Sequence, residues 1–459
     1  MPTRNLVSIL LALIVGLICY QTAQRQRYAS TIGSAMSLVE ERALEPRTRQ
    51  ELFYAAMDGM MRSLDEHSAF IDPDRLPALN ERLDQEFGGV GIVVERNPNT
   101  QEIRVLTPML GSPAAEAGIR SGDVILSIDD VPVEGLTVSD MVTRIRGPRG
   151  TSVKLELRPD GSSEERTVSL ERRLIPVESV VGDRRNPDGS WDFTLEQRPA
   201  TGFLRIKEFG DKTSDEVAAA IALLPPDIDS LIIDLRDNSG GLLESAVELC
   251  DQFLDEGEIV RIKRRDGELD RAPYVATPGT IIPSSIRMVV LINEDTASAA
   301  EIMAACLQDH QRAVVVGSRS FGKGTVQQII PIDGGRSALK LTVSSYWRPS
   351  GVNIHRPRDG ESDEWGVSPD PGCEISLTDR DRQLLYLFLR RREYPATMLD
   401  DLTLAAMLDP MGGEPPPESL PNPMPMGEGQ RSLLDTFVDP GVERAIQVLE
   451  IKPEPVAAG

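Results

Sequence analysis

Histidine and cysteine are both scarce in this chain of 459 residues. There are three histidines and four cysteines (Cys19, Cys250, Cys306, Cys373), with no Cys-x-x-Cys pair. That pattern argues against a zinc site built from Cys and His and against a disulfide-stapled scaffold. Positive charge is also short: 49 Lys and Arg stand against 72 Asp and Glu, for a net charge of −23. A polyanion of this size repels phosphate backbones, so nucleic acid is not an expected partner. The chain is 40% hydrophobic and 26% charged, which excludes a wholly disordered or polytopic membrane protein. At roughly 150 residues per domain, its length allows two to four domains.

One apolar run stands out. Leu6 to Tyr20 is 15 residues without a charge, preceded by Arg4 and followed by Arg25 and Arg27. A membrane-spanning helix wants about 20 residues, so the run must stretch over 3–23 to fit. A secretion signal would serve as well, but Tyr20-Gln21-Thr22-Ala23 is a poor cleavage site. Leu17-Ile18 before Cys19 lacks the small residue of a lipoprotein signal. The reading adopted is an uncleaved signal anchor over 1–23, with a cleaved signal and a buried core helix as the alternatives. Basic residues on both sides leave the orientation unset.

Beyond it, residues 24–84 read as a helical region, with Leu52, Ala55, Ala56, Met57, Met60 and Leu64 at helical spacing. Residues 85–173 switch to short β-rich pieces around Ile92, Ile103, Val124, Ser152 and Arg166, with one helical turn at 114–118. From Thr201 the pattern becomes strand, helix, strand. Thr213 to Glu216 has capping-box spacing. Leu231–Leu235 and Met288–Ile292 are apolar on both faces and each feeds a helix, and Ala313–Gly317 follows. This is the signature of parallel βαβ units with a covered sheet, and it places Cys250 and Cys306 in the core. Residues 174–395 form this α/β region, and 396–459 read as an acidic, proline-rich extension. Its 409–428 stretch has no core, and a last helix spans Val442 to Leu449.

Ser298 falls where a buried strand turns into a helix. Backbone N–H groups at a helix start can receive an oxyanion, though serine is also an ordinary N-cap there. Lys323 sits between Gly322 and Gly324, where glycines permit close backbone approach. A phosphate loop would need a hydroxyl at position 324, so the Gly317–Gly324 stretch does not fit one. His310 lies twelve positions along the helix from Ser298, about 18 Å away, and His67 and His355 sit in polar loops, so nothing points to a histidine triad. A Ser-Lys dyad needs no histidine.

Ser298, Lys323 and Gln327, in that order and spacing, resemble the C-terminal processing (tail-specific) peptidases of serine-peptidase family S41. Further blocks carry the resemblance: Ser63-Leu-Asp-Glu-His-Ser68, Leu235-Arg-Asp-Asn-Ser-Gly240-Gly241, Tyr346-Trp-Arg-Pro-Ser-Gly351, Gly366-Val-Ser-Pro-Asp370 and Asp439-Pro-Gly-Val-Glu-Arg-Ala-Ile446. Thr296 replaces the first serine of the family's Ser-Ala-Ser, and Ser239 replaces the proline of its Asn-Pro-Gly-Gly. The resemblance implies a multi-domain α/β protein: a crotonase-like ββα-spiral protease core, an inserted β-rich PDZ domain and an N-terminal helical segment. It implies Ser298 as nucleophile, Lys323 as general base and Gln327 as the neutral group that orients the lysine. The oxyanion hole would be the backbone N–H groups of Ala299 and of Gly240 or Gly241. Such a mechanism requires neither cofactor nor metal.

Phe87-Gly88-Gly89-Val90-Gly91-Ile92 resembles the PDZ carboxylate loop, and Pro113–Gly118 and Gly122–Ile125 match PDZ sequences. Gly89, Val90, Gly91 and Ile92 would then hold a peptide's terminal carboxylate, the peptide adding as a strand beside Ile92. Arg144 and Arg146 could assist the anion or stand as solvated charges. The implied partners are C-terminal peptides of unfolded or precursor proteins, with the membrane reached through the N-terminal anchor and a homo-oligomer left open. The implied location is the bacterial cell envelope, anchored in the inner membrane with the catalytic part outside the cytoplasm. The rival reading is a catalytically inactive PDZ scaffold or binding protein on the same core.

Overall fold

Short strands rich in β-branched residues build the first domain of the larger unit. The structure, a computed structural model, describes residues 27–83, 85–96, 101–186, 189–357, 364–393 and 436–451. Two compact units divide it: one runs up to Pro77 and includes Gln327–Val343, the other comprises Ala78–Val326 and Ser344 onward. The apolar run at 6–20 and the proline-rich 409–428 stretch lie outside the described residues. Among the described residues no helix is long and apolar enough to cross a membrane.

In the larger unit, β1 (Ile92–Arg96), β2 (Ile103–Pro108), β3 (Val124–Ile128), helix α1 (Val138–Ile145), β4 (Ser152–Arg158) and β5 (Arg166–Glu171) form a small domain. Its strands pair antiparallel in the order β1-β2-β3-β4-β5. Val153, Leu155 and Leu157 of β4 point one way and are buried, which is the period of two seen from inside. Helix α1 has no counterpart in the sequence reading. Its signal was Thr137 with Asp140, a capping box, and it buries Met141 and Ile145 on the sheet.

The second half is a parallel sheet. Strands β6 (Arg198–Ile206), β7 (Ser230–Asp234), β8 (Arg287–Ile292) and β9 (Ala313–Gly317) lie side by side in that order. Helices α2 (Thr213–Ala222), α3 (Leu243–Phe253) and α4 (Ala299–Asp309) alternate with them. Leu204, Leu231, Ile233 and Val290 share one core with Val217, Leu249 and Met303 from these helices, and Cys250 and Cys306 are buried in it. The intervening side chains, Phe203, Ile232, Val289 and Leu291, face the opposite side of the sheet. There they meet Val442, Ala445, Val448 and Leu449 of the last helix, α5 (Pro440–Glu450). The strands are apolar throughout because both faces are covered.

Two expectations need correction. The last helix is not part of a solvated extension: Arg287 on β8 donates to its terminal carbonyls, Leu449 O and Val448 O, and its apolar stripe closes one face of the core. The capping box at Thr213 does not form either. Glu216 accepts instead from Ser179 N and Oγ and from Val180 N at 2.9, 2.7 and 3.0 Å, and Thr213 Oγ1 donates to Ser179 Oγ at 2.8 Å. A nearby strand end offered the carboxylate three donors, and the helix starts without a side-chain cap.

In the smaller unit the helical region holds two helices, over 27–42 and Arg49–Arg62, followed by a strand, Ala69–Ile71. That strand pairs antiparallel with Ala338–Lys340 of the hairpin formed by Thr325–Ile332 and Ser337–Trp347. Met57, Met61 and Phe70 bury together to hold the unit, with Phe53 edge-on to Phe70 at 5.8 Å between ring centroids.

Candidate active site

Ser298 stands at the turn from β8 into α4 with φ 57° and ψ −117°. A non-glycine residue in that region of backbone space costs on the order of 1–3 kcal/mol and needs surroundings that enforce it. Those surroundings are visible. The Ser298 N–H donates to Glu301 Oε2 at 2.8 Å, Ala297 N–H donates to Asn238 O at 2.9 Å, and Thr296 Oγ1 donates to Leu235 O at 2.9 Å. The serine turn is thereby tied to the loop after β7, which carries the glycines of the Leu235–Gly241 block.

Gly240 in that loop has φ +97°, and a Cβ added there would meet Ala297 O and Ser298 Cβ at 2.7 Å and Ala299 N at 2.9 Å. Only glycine allows this backbone to lie against the serine. The Gly240 N–H donates to Asn238 Oδ1 at 2.8 Å, so its amide is already engaged. Of the two glycines in the sequence reading, Gly241 is the one that reading retains as a donor, beside Ala299 at the start of α4.

Lys323 comes to the same place through its backbone. Its N–H donates to Glu301 Oε2 at 2.8 Å, the oxygen that also receives the Ser298 N–H. Gly322 N and Ser320 Oγ donate to Glu301 Oε1 at 2.7 and 2.5 Å. Gly324 lies so tightly against the backbone of His355 that a Cβ would overlap it. One buried carboxylate therefore cross-links the serine turn and the lysine loop. Burial pushes the Glu301 carboxyl up, and the bonds from Ser320, Gly322, Ser298 and Lys323 pull it down, leaving it above its ordinary value. The sequence reading passed over Glu301, although Ser298-x-x-Glu301 is the spacing of a capping box. Tyr346 was also missed. Burial holds its phenol well above the usual range, against a smaller lowering by the Ser298 side chain beside it.

Replacing Glu301 with glutamine puts an amide NH2 against donors that need an acceptor. Glu301→Gln is expected to cost about 1–3 kcal/mol in urea unfolding and to lower peptidase activity as well. A variant as stable as the parent would show that the carboxylate is not what joins the two loops.

Gln327 belongs to the smaller unit. There its Nε2 donates to Thr342 Oγ1 at 3.3 Å, and Thr342 Oγ1 donates to Asp65 Oδ1 at 3.1 Å. Ser68 Oγ donates to Asp65 Oδ2 at 2.8 Å and accepts from Thr342 N at 3.1 Å. The Ser63–Ser68 block thus anchors the strand facing Gln327. Burial raises the Asp65 carboxyl, but the bonds from Ser68, His67 and Thr342 outweigh it and hold it below its ordinary value. His310 is not near a triad: it ends α4, and its ring Nε2 lies 2.7 Å from Glu258 O.

In the small domain β1 is an edge strand, with α1 packed beside it. Val90 is fully buried, its carbonyl accepting from Ala114 N at 3.0 Å, and Gly91 O accepts from Met109 N at 2.8 Å. Gly89 pairs with Arg173 and Ile92 with Pro108. Arg146 stays partly exposed while it pairs with Glu81 at 2.5 Å and lies 4.7 Å over the Phe87 ring. Arg144 offers its carbonyl to Arg172 at 2.7 Å. No group of three or more His, Cys, Asp and Glu placed to hold a metal occurs among the described residues.

The strained serine turn and the lysine loop thus meet on one buried carboxylate, in a unit that also carries a small β-domain with an edge strand. A model of peptidase family S41 matches residues 200–371, and a PDZ-domain model matches residues 104–159. The chain is 37% identical over 336 residues to the carboxy-terminal-processing protease of Bartonella bacilliformis, covering 72% of this chain and 71% of that one. It is 34% identical over 345 residues to the carboxyl-terminal-processing protease of Synechocystis, covering 74% and 75%. Among solved structures, the photosystem II D1 C-terminal processing protease aligns with 28% identity and a TM-score of 0.42, over 80% of this chain and 97% of that one. The chain belongs to peptidase family S41, as a carboxy-terminal processing protease with a PDZ domain.

Proposed function

We propose that the protein is an endopeptidase that captures the C-terminal tail of another protein on its PDZ domain and cuts near that tail with a Ser298–Lys323 dyad. Ser298 Oγ attacks the peptide carbonyl while the neutral amine of Lys323 takes its proton. The lysine then returns the proton to the leaving amine, and water releases the acyl group from Ser298 by the same route. The N–H groups of Ala299 and Gly241 receive the oxyanion, and Gly240 gives the loop its close approach. Gln327 orients the lysine without stabilising its charged form, as a carboxylate would. The observation that carries this reading is the Glu301 carboxylate, which holds the main chains of Ser298 and Lys323 on one oxygen.

On the PDZ side, Gly89, Val90, Gly91 and Ile92 hold the terminal carboxylate, and the peptide adds to the free edge of β1. The substrates are unfolded or precursor proteins outside the cytoplasm, and the 6–20 run exports the chain and tethers it to the inner membrane. A reporter ending in apolar residues with a free carboxylate is expected to be cut faster than its amidated twin, because amidation removes the anion. Equal kcat/KM for the pair would reduce the PDZ domain to a structural insertion.

A further inference from the structure

The loop that carries Gly240 and Gly241 is held from two sides. Toward the serine, Leu235 O and Asn238 O accept from Thr296 and Ala297, and Asn238 Nδ2 donates to Ile206 O at 2.7 Å. Away from it, the Arg236 side chain is buried and forked between two aspartates. Its Nε and Nη2 donate to Asp234 Oδ1 and Oδ2 at 2.8 and 2.7 Å. Its Nη1 and Nη2 donate to Asp439 Oδ1 and Oδ2 at 2.8 and 2.7 Å. Asp234 ends β7, one residue before the loop. Asp439 is 203 residues beyond Arg236 and is the N-cap of α5, accepting from Gly441 N at 2.9 Å and Val442 N at 3.3 Å.

Two carboxylates on one guanidinium leave a surplus negative charge in a buried place. The Arg236 N–H, which donates to Asp234 Oδ1 at 3.0 Å, and the amides at the positive end of α5 satisfy it. Buried ion pairs of this kind often add no stability over an apolar packing of the same volume. What this one does is geometric. Both forks are bidentate, so Arg236 has one position once α5 has docked, and Arg236 lies two residues from Asn238, whose side chain holds the Gly240 amide.

We propose that Asp439, and with it the last helix of the chain, is a positioning element of the active site: by clamping Arg236 it sets the Leu235–Gly241 loop against Ser298, so the chain cleaves only after its own C-terminal helix has docked. The proposal rests on the dyad and oxyanion reading above, and the two are tested apart.

Asp439→Asn in the full chain is the main test, because asparagine caps a helix as well as aspartate but carries no charge for the clamp. Active sites are counted by the burst of a fluorophosphonate that labels serine nucleophiles, and kcat is expressed per labelled site. The expected result is a kcat lowered about ten- to a hundredfold with KM within twofold of the parent. A purely structural role would lower the number of active sites and leave kcat per site alone. A kcat per site within twofold of the parent overturns the proposal. If the variant does not fold, hydrogen exchange on the parent chain decides: exchange of 235–242 and 440–449 in one opening step supports the clamp. Exchange of α5 while 235–242 stays protected overturns it. Ser298→Ala, run alongside, reports on the dyad alone: cleavage by that variant defeats the underlying reading, whatever Asp439→Asn does.

Discussion

Ser298→Ala is expected to lower peptide cleavage by about a hundred-thousandfold or more while the fold survives. Where a nucleophile and its base act as a unit, removing either one removes nearly all of the chemistry. The fold should tolerate the change, since alanine keeps the Cβ that Gly240 packs against and the Ser298 N–H that donates to Glu301 at 2.8 Å. The positive φ remains as strained for alanine as for serine, so circular dichroism and urea unfolding should move by no more than about 1 kcal/mol. The buried Tyr346 hydroxyl loses the polar side chain beside it, which is the main stability cost to look for. Turnover in the purified variant at more than a few per cent of the parent rate would remove Ser298 from the role of nucleophile. His310→Ala is the counterpart that should change little in kcat, because its ring is engaged by Glu258 O at the far end of α4.

How much of this was readable beforehand depends on the range of the signal. Strands β7, β8 and β9 were legible because each is a short, continuous apolar run ending in turn residues, and the two-sided burial that such runs require is what the sheet provides. The five main strands of the small domain were legible as short β-rich pieces set off by turn residues, with clear alternation in β4. Helix α1 was missed although Val138, Met141, Val142 and Ile145 stand at helical spacing behind the Thr137 cap, because its eight residues are short and set among β-rich pieces on both sides. The docking of α5 was hidden by its setting. A helix beyond an acidic, proline-rich stretch reads as an appendage, and only the sheet itself shows that Ile232 and Val289 needed a cover.

The site divides in the same way. Ser298, Lys323, Gly240 and Gly241 were legible as motifs, since backbone turns and close approaches leave serine and glycine marks in a sequence. Glu301 and Tyr346 were not, because a glutamate in the first turn of a helix and a tyrosine in a strand are common residue choices. Their importance lies in what folds onto them: four donors from two loops on Glu301, and the Ser298 side chain on Tyr346. The pairing of Asp439 with Arg236 joins residues that no local rule connects. The capping-box spacing at Thr213 shows the converse, a local rule overridden when Ser179 and Val180 offered Glu216 better partners.

Lys323→Arg is expected to be inactive at every pH up to 9. Arginine is longer, planar and always charged, so it cannot accept the Ser298 proton, whereas a lysine amine can once it has lost its own. The loop should accept the substitution, because what fixes it is backbone: Lys323 N and Gly322 N on Glu301, and Gly324 against His355. In the parent enzyme the rate per site should climb as pH rises through the deprotonation of the base, and in Lys323→Arg that limb should vanish along with the activity. Fluorophosphonate labelling separates the alternatives. Labelling of Ser298 should slow with the loss of the base by a factor similar to that for cleavage, since both need the serine proton removed. Wild-type cleavage by Lys323→Arg would mean that another group takes the proton, and the dyad would fall with it. If the variant instead labelled normally yet failed to cleave, the lysine would be acting on the leaving amine alone, as acid and not as base.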